Sequence, residues 1–296
     1  MAAHSQIPKD RYIGFAYLLI TSIGWGLNWP VIKVVLRDWP PLFARGSAGL
    51  VAAMVLAALA ALRGQRLSLP SGVLGRLGAA SMLNVFAWMG FSTIAMVWLT
   101  VSEGALLVYT MPIWAMLFAW AIRGERPSLA GFAAVVLGGL GLLVLLAGGQ
   151  ITATTGKLPG VLLALASAVL FAFSTLIFRS PLPIPPLTLT AWQVGLACVP
   201  MVLLGVVIER PNLHALTGPG WAAMGYMAAV PMGLCYLCWF AALRRVPPST
   251  AALTTLLTPL VGVFSAAVIL PEPLGLRELS ALVLILVSVS LAIRRG

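Results

Sequence analysis

The stretch IGFAYLLITSIGWGLNWPVI, residues 13–32, decides the fold class, because its twenty residues include no charged side chain. An α-helix needs about 20 mainly apolar residues to cross the hydrocarbon core of a bilayer. The segment WGLNWP, residues 25–30, lies inside this run and sets an asparagine and a proline beside two tryptophans. The stretch therefore predicts a membrane-spanning helix with a polar, helix-disrupting interruption that needs its own explanation.

The rest of the chain has the same apolar character. Its 296 residues are 61% hydrophobic and only 8% charged, whereas about 25% of the residues of soluble domains are charged. We predict an all-α integral membrane protein with ten transmembrane helices joined by short connections. No separate short apolar segment precedes the first span, so we expect no removable signal peptide. The predicted spans are 13–33, 42–62, 77–96, 101–122, 129–147, 159–179, 187–208, 221–243, 249–270 and 278–293.

The distribution of basic residues predicts the orientation of these helices. The formal net charge is +11, from 18 Lys and Arg against 7 Asp and Glu. If the N-terminus is cytoplasmic, most basic residues fall on the cytoplasmic side, as the positive-inside rule requires. Both termini are therefore predicted to be cytoplasmic, and the basicity needs no nucleic-acid partner. The basic residues predicted at or near the outer side are Lys33, Arg37, Arg45, Lys157, Arg210 and Arg277.

The two halves of the chain resemble each other in an ordered series of landmarks. We therefore predict a first repeat over residues 1–149 and a second over 150–296, combined in one structural unit. Each repeat holds five helices, an odd number, so the second must cross the membrane inverted, as in many secondary transporters. Shifts of 146 or 147 residues align Trp25 with Phe171, Asn28 with Ser174, Lys33 with Arg179, Ser102 with Ser249, Ala105 with Ala252, Pro112 with Pro259, and Glu125 with Glu272.

Two related motifs carry a family resemblance. ALLVYTMP at 105–112 is followed by Gly124 and Glu125, and ALTTLLTP at 252–259 is followed by Pro271 and Glu272. With the ten helices and the duplication, the chain resembles the drug/metabolite transporter superfamily. Within it, the chain is similar to the EamA-type exporters, and most closely to the YddG-type exporters of aromatic and other amino acids. The resemblance implies a bacterial inner-membrane exporter with a central cavity lined by helices 1, 3, 4, 6, 8 and 9.

The interruption in the first helix has a functional and a structural interpretation. Pro30 cannot donate its backbone hydrogen bond and clashes with the carbonyl of Gly26, so the helix is expected to bend. Exposed backbone and the Asn28 amide are tolerable at membrane depth only beside protein or a water-filled cavity. Trp25 shares a helix face with Asn28. The segment therefore predicts part of a binding site, while a packing kink with Asn28 joining two helices stays open.

Other prolines coincide with polar and aromatic residues in the predicted helices 4, 8 and 9. Pro30, Pro112, Pro231 and Pro259 are the predicted hinges. Flat apolar rings with uncharged hydrogen-bonding groups suit a zwitterion or amphiphile with an aromatic or aliphatic side chain. Half of these aromatic residues could equally be lipid or core contacts. The predicted substrate-binding residues are Trp25, Asn28, Asn84, Trp88, Tyr109, Phe171, Ser174, Tyr236, Trp239 and Thr258.

No residue set suggests catalysis, a metal or another cofactor. Cys235 and Cys238 are three residues apart on a predicted helix, a spacing that is unfavourable for a mutual disulfide. Cys198 is the only other cysteine in the sequence, and three cysteines do not complete the usual four-ligand metal site. An enzyme would need a clustered base, nucleophile or metal ligands, and we predict none. A gradient-coupled exporter of a cation, nucleoside or sugar derivative stays open as an alternative. So does a binding-only receptor or structural membrane protein.

Acidic residues are predicted at the ends of the spans. Glu125 and Glu272 are expected to order loops by pairing with arginines, Glu125 with Arg123 or Arg126 and Glu272 with Arg277. Proton-coupled carriers usually keep an Asp, Glu or His within the membrane, and none is predicted at mid-span here. We therefore predict a uniporter for a neutral zwitterion, and the family resemblance implies that its small-molecule substrates are amino acids. The lipid bilayer is its other partner, and a monomer is compatible with the sequence.

Overall fold

A computed structural model describes residues 9–147, 151–178, 180–247, 250–251, 254–270 and 272–294. Within this part of the chain the secondary structure is helical, without strands, which confirms the all-α prediction. The helices are α1 (Lys9–Val35), α2 (Pro41–Leu62), α3 (Leu74–Ala95), α4 (Val101–Arg123), α5 (Leu129–Ala147), α6 (Ile151–Ile177), α7 (Pro186–Glu209), α8 (Gly218–Leu243), α9 (Leu257–Ile269) and α10 (Leu276–Arg294).

Nine of the helices in the described residues are long and apolar enough to cross a membrane. The described α9 is a shorter apolar helix of 13 residues. The predicted span at 249–270 begins among residues that the structure only partly describes. Arg179, Ser249, Ala252 and Pro271, used in the sequence comparison, lie outside the described residues.

Three of the four predicted hinges lie in irregular helix or within three residues after it. In α4 the helix is broken at Tyr109 and Thr110, just before Pro112. In α8, Pro231 lies in a π-helical turn, Val230–Leu234, and α9 begins at Leu257, two residues before Pro259. By contrast, α1 remains helical through Pro30.

Carboxylates cap helix N-termini at one end of the bundle. Thr100 and Glu103 form a capping box at the start of α4, and Glu103 also pairs with Lys157 at 2.7 Å. Both oxygens of Glu272 accept the backbone N–H of Val101, at 2.9 and 3.1 Å. A carboxylate at this position satisfies a free N–H and complements the helix dipole.

The two predicted loop pairings have different outcomes. Glu125 pairs with Arg123 at 2.7 Å, as expected. The predicted pairing of Glu272 with Arg277 is wrong. Arg277 instead donates to its neighbour Glu278 at 2.8 Å, because both side chains lie at the start of α10, while Glu272 reaches across to α4.

Helix packing follows a repeating scheme. The main partner of α2 is α7, and that of α5 is α10. Helix α1 packs against α8 and α9, while α6 packs against α3 and α4. Exchanging the first five helices with the last five maps α2–α7 and α5–α10 each onto itself, and maps the two contacts of α1 onto the two contacts of α6.

Close packing at Gly26 brings α1 against α9. A Cβ atom at Gly26 would lie 2.6 Å from the Cβ atom of Val261 and 2.8 Å from the Thr258 carbonyl oxygen. The missing side chain therefore permits helix contact. The sequence places the Gly26 carbonyl at the bend that Pro30 is expected to cause. That carbonyl lies 3.4 Å from where a Cβ atom of Gly262, on α9, would be.

Candidate functional site

A cavity of about 400 Å³ lies between α1, α2, α3, α4, α6 and α8. Volumes of about 300–1,000 Å³ are usual for sites that bind small molecules. Eight of the ten predicted substrate-binding residues line it: Trp25, Asn28, Asn84, Trp88, Tyr109, Phe171, Tyr236 and Trp239. The structure thus brings together residues that are distant in sequence, and their contact with a substrate stays a prediction.

Ser174 and Thr258 are not part of the lining. Both are fully buried between helices, and Thr258 lies close to the Tyr109 side chain. Thr255, in the turn before α9, is the lining residue in this part of the chain. Sequence periodicity places a threonine on a helix face but does not say which helix covers that face.

Aromatic residues of the lining form two groups of ring contacts. The Trp25 ring on α1 lies 5.7 Å from the Trp239 ring and 5.8 Å from the Tyr236 ring, both on α8. In the second group, the Phe171 ring on α6 lies 4.7 Å from the Trp88 ring on α3. The sequence comparison aligns Trp25 with Phe171, so equivalent helices carry the two contacts.

Two amides give the aromatic cavity polar groups. Asn28 on α1 is buried, and Asn84 lies in the π-helical segment of α3, Met82–Phe91. The Oδ1 atoms of both are buried without a hydrogen-bond partner. A buried polar atom without a partner is costly, so both amides can accept a hydrogen bond from a small molecule in the cavity.

Arg45 is a lining residue that the sequence analysis placed elsewhere. It was assigned to the outer side, but it lies on the first turns of α2, is only 5% exposed and borders the cavity. The signal was present, because residue 45 falls inside the predicted span 42–62. An ionisable side chain within a span is a candidate functional residue by default. Helix 2 therefore adds a cation to a lining that was expected to be uncharged.

The predicted hinge prolines differ in whether they border the cavity. Pro231 borders it directly, and Pro112 follows Met111, which also borders it. Pro259 is buried on α9, and Pro30 follows the lining residue Trp29. The backbone irregularities of α3, α4 and α8 thus occur at the level of the cavity, where π-helical turns often mark functional sites.

Comparison with known proteins relates the whole chain to membrane transporters. The model of the EamA-like transporter family matches residues 12–147 and 158–294. The "Uncharacterized transporter YvbV" of Bacillus subtilis is 29% identical over 97% of this chain and 92% of its own length. A "Probable amino-acid metabolite efflux pump" of Salmonella typhimurium is also 29% identical, over 94% and 93%.

Two further comparisons agree with these. The "Uncharacterized inner membrane transporter YedA" of Escherichia coli is 26% identical over 94% of this chain and 89% of its own length. A solved structure, described only as the crystal structure of a protein, is 19% identical. It superposes with a TM-score of 0.64 over 96% of each chain, so it supports the fold alone.

Proposed function

The chain belongs to the EamA-like transporter family, and on that premise we propose that it exports amino acids, aromatic and other neutral ones, and related small metabolites. Transport takes place across the bacterial inner membrane, through the central cavity. The closer kinship with YddG-type exporters is part of this proposal. The two EamA matches, at residues 12–147 and 158–294, support a multi-pass transporter rather than an enzyme.

The observation that carries the proposal is the composition of the cavity. Aromatic rings from α1, α3, α4, α6 and α8 surround a volume suited to a small molecule, and the Asn28 and Asn84 oxygens point to a hydrogen-bonding ligand. Such a lining fits the apolar side chain of an amino acid together with its polar backbone groups. A relative named as a probable amino-acid metabolite efflux pump aligns with this chain over 94% of this chain and 93% of its own length.

Alternating access supplies the proposed mechanism. The two five-helix repeats rock against each other and expose the cavity to one side of the membrane at a time. The exchange symmetry of the helix contacts supports this, since each half packs its first helix against the third and fourth helices of the other. The irregular backbone at Pro112, Pro231 and Pro259 provides the hinges that such a motion needs.

The cargo alternatives differ in charge. A cationic drug would be favoured by a carboxylate in the membrane, but among the lining residues that the structure describes the charged one is Arg45. The cavity therefore disfavours cations. Transport of a nucleoside or a sugar derivative is tested directly in the experiment described next.

The decisive experiment measures flux through the purified protein in liposomes. A panel of radiolabelled amino acids, with a nucleoside, a sugar and an organic cation, is tested for uptake. We expect aromatic and other neutral amino acids to be carried, and protein-free liposomes set the background. A binding-only receptor would bind a ligand without flux. Exclusive uptake of the nucleoside, sugar or cation would contradict the proposed substrate class.

A further inference from the structure

Arg45 stands out among the buried groups of the bundle. Its guanidinium lies in the first turns of a membrane-spanning helix and borders the central cavity, with 5% of the residue exposed. Its Nε and Nη1 atoms are buried without a hydrogen-bond partner. Arginine stays protonated and only donates hydrogen bonds. The cavity thus contains a permanent positive charge with N–H groups that lack an acceptor.

The protein supplies no counter-charge for this guanidinium in the part of the chain that the structure describes. The ion pairs found there are Arg123–Glu125, Lys157–Glu103 and Arg277–Glu278. The titratable groups that face Arg45 are the hydroxyl of Tyr236 on α8 and the thiol of Cys198 on α7. Glu209 accepts the backbone N–H groups of Leu42 and Phe43 at the start of the same helix.

An unpaired cation inside a membrane protein is costly, and an anion that enters the cavity would relieve that cost. Carboxylate oxygens, like phosphate oxygens, match the planar N–H groups of a guanidinium and can accept two parallel hydrogen bonds from it. The aromatic rings at Trp25, Tyr236 and Trp239 then accept the rest of the molecule.

From this geometry we infer that Arg45 binds the carboxylate of the transported molecule. The cavity takes molecules that combine a carboxylate with an apolar side chain, whether or not they also have an ammonium group, and it rejects the corresponding amines. This inference rests on the proposed function, since it names the group by which the same cavity holds its substrate. Arg45 is thereby a residue that determines specificity.

The test uses three probes that share a phenyl ring and a short chain. Phenylalanine has a carboxylate and an ammonium, 3-phenylpropionate has the carboxylate alone, and phenethylamine has the ammonium alone. Binding to the purified full-length protein is followed by the fluorescence of the tryptophans that line the cavity, among them Trp25 and Trp88. We expect wild-type protein to bind the two carboxylates at least about tenfold more tightly than the amine.

Arg45→Gln then removes the charge and should weaken binding of both carboxylates about tenfold or more, while binding of phenethylamine stays equal or improves. A merely structural role would weaken all three probes together. Arg45→Lys keeps a charge without the planar group and should fall in between. Arg37→Gln, at an exposed arginine outside this cavity, is the matched control and should leave the order of the probes unchanged.

The outcomes separate this inference from the proposed function. Tight binding of 3-phenylpropionate without phenylalanine would uphold the role of Arg45 and contradict an amino-acid exporter. Equal binding of phenylalanine and phenethylamine, or carboxylate binding that Arg45→Gln leaves unchanged, would overturn the role of Arg45 while the exporter proposal stands. Wild-type protein that binds none of the probes would count against both.

Discussion

The indole Nε1–H of Trp25 donates a 2.9 Å hydrogen bond to the carbonyl oxygen of Pro231. This bond joins a cavity residue of α1 to the π-helical turn of α8, and so connects the two predicted repeats. The Trp25 ring also packs on Tyr236 and Trp239 of the same helix. Any motion that separates α1 from α8 must break this hydrogen bond or carry both helices together.

Trp25→Phe should therefore destabilise the contact while keeping an aromatic ring. Loss of one buried hydrogen bond costs about 1 kcal/mol, so we expect a lower melting temperature and altered transport. The measurements are thermal unfolding of the purified protein and initial flux in liposomes. Trp239→Phe is the matched control, because the described structure gives its indole ring contacts and no hydrogen bond. Equal effects of the two substitutions would show that the Trp25 bond has no separate role.

Alanine substitutions in the cavity should reduce transport without preventing folding. Trp25, Asn28, Trp88, Tyr109, Tyr236 and Trp239 form a set in which several substitutions are expected to lower kcat/KM about tenfold, equivalent to ~1.4 kcal/mol. The reason is loss of contacts with the transported molecule, since all six border the cavity. Trp221→Ala, at an exposed tryptophan outside the cavity, is the control. Wild-type flux from the whole set would contradict a binding role for this cavity.

Much of this architecture could be predicted from the sequence, because its signals are local. Runs of about 20 apolar residues identify spans, and prolines mark where a helix loses a hydrogen bond. Pro112 and Pro231 do lie at irregular backbone. Tyr109, three residues before Pro112, and Tyr236, five residues after Pro231, are both in the lining.

What could not be predicted depends on which helices are neighbours. Thr258 and Ser174 have the same polar character as the lining residues, yet neighbouring helices cover them. Glu272 reaches α4 and not Arg277, because partner choice depends on how loops meet in space. Arg45 is only the fourth residue of the predicted span 42–62. A sequence pattern does not fix the end of a span to within a few residues, so the side chain was equally compatible with the outer surface.

Thiol labelling tests the lining directly. Cysteines placed at positions 28 and 88 should react with water-soluble thiol reagents, because both side chains border the cavity. Thr258 was also a predicted substrate-binding residue, but it is fully buried. We therefore expect a cysteine at position 258 to be protected. Positions 50 and 200 should also be protected, as helix contacts. The native Cys198, Cys235 and Cys238 are buried and give the background reaction. Uniform protection would show that residues 28 and 88 face packed helices.

Glu272 gives a prediction about pH. Burial raises the pKa of its carboxyl above the ordinary 4.5, despite the opposing hydrogen bond from Val101 and the charge of Lys33. The native state therefore holds this proton more tightly than the unfolded state. Tighter proton binding by Glu272 therefore adds to the free energy of unfolding. This addition is complete below pH 4.5 and is lost as the pH rises through the raised native pKa.

Glu272→Gln removes this titration and keeps an oxygen that can accept the Val101 N–H. Wild-type stability relative to this variant should therefore fall as the pH rises from 4.5 through the raised native pKa, measured as the difference in melting temperature. Glu272→Ala removes the cap as well and should lower the melting temperature throughout. A difference between wild type and Glu272→Gln that does not change with pH would contradict the raised pKa.

The residues that line the cavity also bear on whether transport is coupled to a proton gradient. A proton-coupled carrier needs a group in the membrane that gains and loses a proton as the site changes sides. The lining residues in the described structure include no Asp, Glu or His. Arg45 keeps its proton at any physiological pH, so it can hold an anion without transporting a proton. We therefore expect a uniporter that carries a neutral zwitterion down its own gradient.

Liposomes with equal pH and equal sodium on both sides should therefore support substrate-driven uptake and counterflow. An internal load of unlabelled phenylalanine is expected to accelerate entry of labelled phenylalanine, and an ionophore that collapses proton gradients should leave the rate unchanged. Since a zwitterion carries no net charge, an imposed membrane potential should also have little effect on the steady-state distribution. Sodium is tested separately, because backbone carbonyls at broken helices can coordinate it. Flux that appears only with an imposed proton or sodium gradient would place a coupling site outside the residues of this cavity.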